Sequence, residues 1–101
     1  MSLTEDEVRA ARLRAAEAHA RVLGDQSACA LTKSGISFPA GKFWEGATAA
    51  LTELLRSGAA DLDAEARRLV DVWTARRVPG SQREADAYRA GGLEALAGIV
   101  A

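Results

Sequence analysis

The 101-residue sequence predicts an all-α fold, a small bundle of four main helices around a core of Ala and Leu. Three observations predict it. The chain has 23 Ala and 11 Leu against eight Val and Ile together, a composition that favours helix over sheet. Apolar residues recur at helical spacing in four segments, roughly 4–24, 39–57, 62–77 and 81–99. Each segment also opens near a residue type that starts helices. The whole chain, 1–101, reads as one domain: 26 apolar residues larger than Ala suffice for one modest core in a chain that buries roughly two-thirds of its unfolded surface.

The first helix carries a capping box, Thr4 with Glu7, flanked by Leu3 and Val8 at the spacing of a hydrophobic staple. Val8, Ala11, Ala15, Ala18 and Val22 share one face, and Gly24 can close the helix in a left-handed conformation. Leu13, Ala16, Ala20 and Leu23 form a second, nearly opposite apolar strip, which predicts a helix sandwiched between neighbours within the fold or across a dimer. A short helix at 25–33, capped by Asp25, is compatible with the next stretch, and Ser34 to Ser37 reads as irregular chain.

Pro39 suits the first turn of the second main helix, which Phe43, Ala47, Ala50, Leu51, Leu54 and Leu55 continue until Ser57 and Gly58 stop it. Asp61 or Asp63 can cap the third helix, whose Leu62, Ala66, Leu69, Val70 and Trp73 point inward, with Asp63 and Arg67 spaced as an i,i+4 ion pair. Val78, Pro79 and Gly80 end it. Ser81 and Glu84 repeat the capping-box spacing before a last helix bearing Tyr88, Leu93, Leu96, Ile99 and Val100. Phe43, Gly46, Ala50, Leu51 and Leu54 are spaced like Tyr88, Gly91, Ala95, Leu96 and Ile99. Glycine inside a helix costs about 1 kcal/mol relative to Ala and is usually kept where another backbone comes close, so the two helices are expected to cross near these glycines.

Thirteen Lys and Arg against 14 Asp and Glu give a net charge of −1, which argues against a dedicated polyanion binder and makes nucleic acid a disfavoured partner. Cys29 is the only cysteine, so the chain has no disulfide framework of its own. No run approaches the roughly 18 apolar residues of a membrane span, and Glu5, Asp6 and Glu7 stand where a cleavable export signal carries positive charge. The expectation is a cytoplasmic protein that does not engage a membrane.

Catalytic residues, metal ligands and cofactor contacts are not assigned. The only imidazole, His19, stands ten residues before the only thiol, Cys29, and no spacing brings them together; the bland readings are a partly exposed helix residue and a small buried hydrophobe. One His and one Cys cannot supply the ligand pairs of a structural zinc site. Gly41-Lys42 lacks the preceding glycine spacing and the following Ser or Thr of a phosphate-binding loop. The acidic groups Glu5, Asp6 and Glu7, and Asp61 with Asp63, fall in first turns, where the helix dipole accounts for them.

The stretch from Ile36 to Gly46 places Phe38, Phe43 and Trp44, three of the five aromatics, around Pro39, Gly41 and Lys42. Ile36, Phe38, Lys42, Phe43 and Trp44 are therefore the candidate partner-contact residues, although a plug anchoring the junction to the core is the weightier expectation for the aromatics. Trp44-Glu45-Gly46, near the middle of a chain of this length and followed by Ala47, Ala49, Ala50 and Leu51, resembles the signature of the WXG100, or ESAT-6-like, family. The resemblance implies a small helical hairpin exported by a type VII system without a cleavable signal, as a homodimer or with a sister protein. In this chain Gly58 and Val78-Pro79-Gly80 interrupt the second half, and Gly92 stands four positions after Tyr88, where that family's export signal has an acid.

Arg67, Arg68, Arg76, Arg77 and Arg83 form a basic stretch, and the two helices joined by Val78-Pro79-Gly80-Ser81 have the outline of a helix-turn-helix. Glu84 and Asp86 occupy the first turns of the would-be recognition helix, so a solvated arginine face is the stronger reading. The expected function is a non-catalytic protein-protein interaction or assembly module. Its expected partner is a second copy of itself or another helical protein. A WXG100-like secretion substrate and a DNA-binding protein are the alternatives.

Overall fold

The structure, a computed structural model, describes residues 2–23 and 39–100. Among them it forms four helices: α1 (Glu5–Leu23), α2 (Pro39–Arg56), α3 (Leu62–Ala75) and α4 (Gln82–Ile99). This is the predicted all-α bundle. The expected short helix at 25–33, the irregular stretch after it and the Gly24 stop lie outside the described residues.

Helix α2 is the hub. Both α1 and α4 pack along it, α3 packs mainly on α4, and α1 and α4 scarcely touch each other. The reason is in the residues α2 presents: Gly46, Ala47, Ala50, Leu51 and Leu54 are all buried, a face narrow enough at one end for backbone approach and bulky at the other.

Local signals fix the helix ends. The Thr4 N–H donates to Glu7 Oε1 at 3.1 Å and the Glu7 N–H to Thr4 Oγ1 at 3.2 Å, while Leu3 and Val8 are buried beside this capping box. The Leu3 N–H also donates to Asp63 Oδ2 at 2.8 Å, fastening the start of α1 to the start of α3. Asp63 is thereby occupied, and Asp61 is the cap, its Oδ1 accepting from the Ala64 N–H at 3.0 Å. The expected Asp63–Arg67 ion pair is absent among the described residues for the same reason; the pair formed on this helix is Arg68 with Glu65, at 2.6 Å.

At the end of α2, the Ser57 hydroxyl donates to the Leu54 carbonyl at 2.7 Å and Gly58 turns the chain with φ +65°. Helix α3 stops at Ala75, two residues before the expected boundary, because Pro79 has no N–H for the Ala75 carbonyl and disfavours a helical Val78. Arg76 is already extended, at φ −70° and ψ 132°. Ser81 caps α4 by accepting the Glu84 N–H at 3.2 Å.

The largest fully buried side chain is Trp73, followed by Leu51, Leu54, Leu96 and Val8. Tyr88 stacks on the Trp73 ring at 5.3 Å between centroids and 22° between planes. Gly92 makes room for that indole: a Cβ there would run into the Trp73 ring. The expected glycine crossing is present and reciprocal. A Cβ on Gly46 would strike the backbone carbonyl of Tyr88, and one on Gly91 would strike that of Phe43. The aromatic-glycine echo in the sequence is thus a local two-fold crossing of α2 and α4, with each glycine seated against the carbonyl three residues before the other.

Candidate functional site

Because α1 and α4 diverge while both rest on α2, a cleft of about 420 Å³ opens between them. Its floor is Phe43, Trp44, Ala47 and Leu51 from α2. Ala11, Ala15 and Ala18 of α1 form one wall, and Gly91, Ala95, Gly98 and Ile99 of α4 form the other. The size falls within the range of ordinary binding clefts, and the lining is mainly apolar with a few charged groups at its edges. Arg14 and Arg21 stand on the α1 lip, two helical turns apart, and Glu94 stands on the α4 lip. Among the described residues none of these three charges forms an ion pair.

The two described aromatics of the Phe38 to Trp44 cluster belong to this cleft. Phe43 and Trp44 meet edge to face, 5.0 Å between centroids, and both are half-buried. Neither joins the core cluster, so among the described residues they do not act as the expected plug; Trp73, thirty residues on, fills the core. Lys42 points elsewhere, pairing with Glu45 at 3.0 Å. Ile36, Phe38 and Cys29 lie outside the described residues. His19 is half-buried on α1, with its Nε2 enclosed and without a hydrogen-bond partner among the described residues.

The second apolar strip of α1 differs from expectation in one respect. It is not sandwiched within the described fold: Leu13 is 61% exposed, and Ala16 and Ala20 are exposed with it, while the Val8–Ala15–Ala18 face is buried on α2. Leu13 is the one large hydrophobic residue so exposed among the described residues.

The arginine stretch is divided. Arg76 donates to both Glu53 oxygens, at 2.7 and 3.2 Å, and its guanidinium lies 4.7 Å from the centre of the Trp73 ring. The Trp73 indole N–H donates to the same carboxylate at 3.1 Å, and the Arg89 guanidinium donates twice to the Arg76 carbonyl, at 2.8 and 3.1 Å. Arg68 is paired with Glu65. Arg67, Arg77 and Arg83 remain exposed and unpaired among the described residues. The basic stretch therefore supplies the clasp joining α2, α3 and α4 as well as an outer face.

Glu53, the centre of that clasp, was not a candidate from sequence. Its bond to Arg76 holds its carboxyl below the ordinary value of 4.5, with the Trp73 N–H acting in the same direction and burial opposing both. Arg76 is raised in turn by Glu53. One signal could have found it: Glu53 is an acid in the last turn of α2, where the helix dipole disfavours negative charge and a carboxylate needs a cationic partner from elsewhere.

No described helix is long and apolar enough to cross a membrane. No family model matches the chain, and no curated protein and no solved structure matches it.

Proposed function

We propose that this protein is a small interaction or assembly module that associates with itself and carries out no catalytic step. The observation that carries the reading is the exposed strip of α1, Leu13 with Ala16 and Ala20, on a helix whose other face is already buried. Single exposed apolar residues are ordinary, but three at helical spacing give one face of α1 an apolar strip that water solvates poorly. Ala at most positions of the strip allows close helix approach, and a chain with few large hydrophobes gains burial by pairing. Sedimentation equilibrium at micromolar concentration tests this: a dimer or larger species is expected, and a monomer up to about 100 μM would end the proposal.

The DNA-binding alternative has less to rest on, because Arg76 and Arg68 are engaged within the chain and Glu84 and Asp86 stand at the start of α4. The secretion-substrate alternative rests on Trp44-Glu45-Gly46. The geometry gives each end of that motif a local role, Trp44 on the cleft floor and Gly46 at the helix crossing.

A further inference from the structure

We infer that α1 is a detachable strap: it undocks as a unit while α2, α3 and α4 stay folded together, and the contact of Leu3 with Asp63 is its latch.

The attachments of α1 are gathered at one end. Leu3 and Val8 are the large side chains buried there, whereas from Ala11 onward the fully buried positions are Ala15 and Ala18, with Ala11 and Val22 half-buried. Among the described residues one hydrogen bond joins this segment to another element, the Leu3 N–H to Asp63 Oδ2 at 2.8 Å. Its ion pairs, Arg9 with Glu5 and with Asp6, stay within the helix. Burial stabilises in proportion to apolar area, so an alanine face holds far less firmly than a leucine one.

The other three helices are bound to one another by larger groups. Leu51, Leu54, Leu69, Trp73 and Leu96 of the buried cluster all come from them. The Glu53–Arg76–Trp73 clasp, the bonds from Arg89 to the Arg76 carbonyl and the glycine crossing each join two of them, and α1 takes part in none. Helix α1 also scarcely touches α4. Parts of a fold open separately where buried contacts are unevenly shared, and here the boundary falls between α1 and the rest. Once the turn around Leu3 and Val8 lets go, little beyond alanine retains the helix. Undocking removes one wall of the cleft and bares Ala47 and Leu51 on its floor, so α1 governs access to that surface.

Hydrogen exchange of the full chain, read by mass spectrometry on peptides from each helix, tests this. Every protein carries Leu13→Lys, a change at an exposed position that keeps pairing through that strip from masking the opening. Amides in the middle of α1 should exchange at least about tenfold faster than those in the middle of α2 and α4. Asp63→Ala removes the latch and should speed α1 about three- to tenfold. Ser81→Ala and Glu53→Gln weaken the three-helix unit instead, through the α4 cap and the clasp. Each should speed exchange in the middle of α2 and α4 but leave α1 unchanged, because the loss falls equally on the docked and undocked states. If these two variants speed α1 by the same factor as α4, or Asp63→Ala leaves α1 exchange as it was, α1 is not a separate unit with this latch and the inference is overturned.

Discussion

Glu53 holds three groups at once, two from the Arg76 guanidinium and one from the Trp73 indole, and its depressed pKa makes it a contributor to stability that depends on pH. A carboxyl whose folded pKa lies below its unfolded value of 4.5 stabilises the fold above that value, and the contribution is lost as pH falls through the folded one. Melting temperature should therefore fall on acidification below about pH 4.5, and Glu53→Gln should lower stability at pH 7 while flattening that part of the profile. Thermal melts of both proteins from pH 7 to pH 3 measure the difference; parallel profiles would show that the clasp does not govern it. The two tryptophans should separate equally clearly. Trp73 is fully buried, so Trp73→Ala should cost about 3 to 5 kcal/mol. Trp44 is half-buried on the cleft floor, and Trp44→Ala should cost less than that in urea melts.

At the scale of elements, the crossing of α2 and α4 depends on two hydrogens standing where methyl groups would be. Gly46→Ala or Gly91→Ala drives a Cβ into a backbone carbonyl of the facing helix, which cannot move aside as a flexible side chain would. Each should cost about 1 to 3 kcal/mol despite the better helix propensity of Ala. Gly98 is the internal control: nothing lies within 4 Å of a Cβ there, so Gly98→Ala should leave stability unchanged or raise it by up to about 1 kcal/mol. Denaturation midpoints of the three variants check the contrast. The ends of the helices follow the same logic of local cause, Thr4 with Glu7, Asp61 and Ser81 each satisfying backbone N–H groups that the helix cannot.

For the whole molecule, the divergence of α1 from α4 is the feature with functional consequences, since it leaves a cleft and an exposed strip on adjoining surfaces. If the native state is a dimer, melting temperature should rise with protein concentration, because mass action favours the associated folded form. The same view places a limit on nucleic acid. With net charge −1 and two of the five candidate arginines engaged in ion pairs, duplex DNA should bind weakly even at about 50 mM salt. Submicromolar binding abolished by about 200 mM salt and by Arg77→Ala with Arg83→Ala would contradict that.

What the sequence determined by itself is local. Capping side chains sit within three residues of the N–H groups they satisfy, apolar periodicity marks one face of a helix, and proline and glycine end it, so the four helices and most of their bounds were legible. The glycine crossing was legible too, because interior glycine has a cost that only a close neighbour explains. Only the tertiary structure decided which residues from distant segments meet. Asp63 bonds Leu3 instead of Arg67, Glu53 gathers Arg76 and Trp73, and Phe43 with Trp44 line a cleft instead of plugging the core. Periodicity names a buried face but not what covers it, and the position of α1 beside α4 follows from how both share the surface of α2, a packing outcome spread over the whole chain.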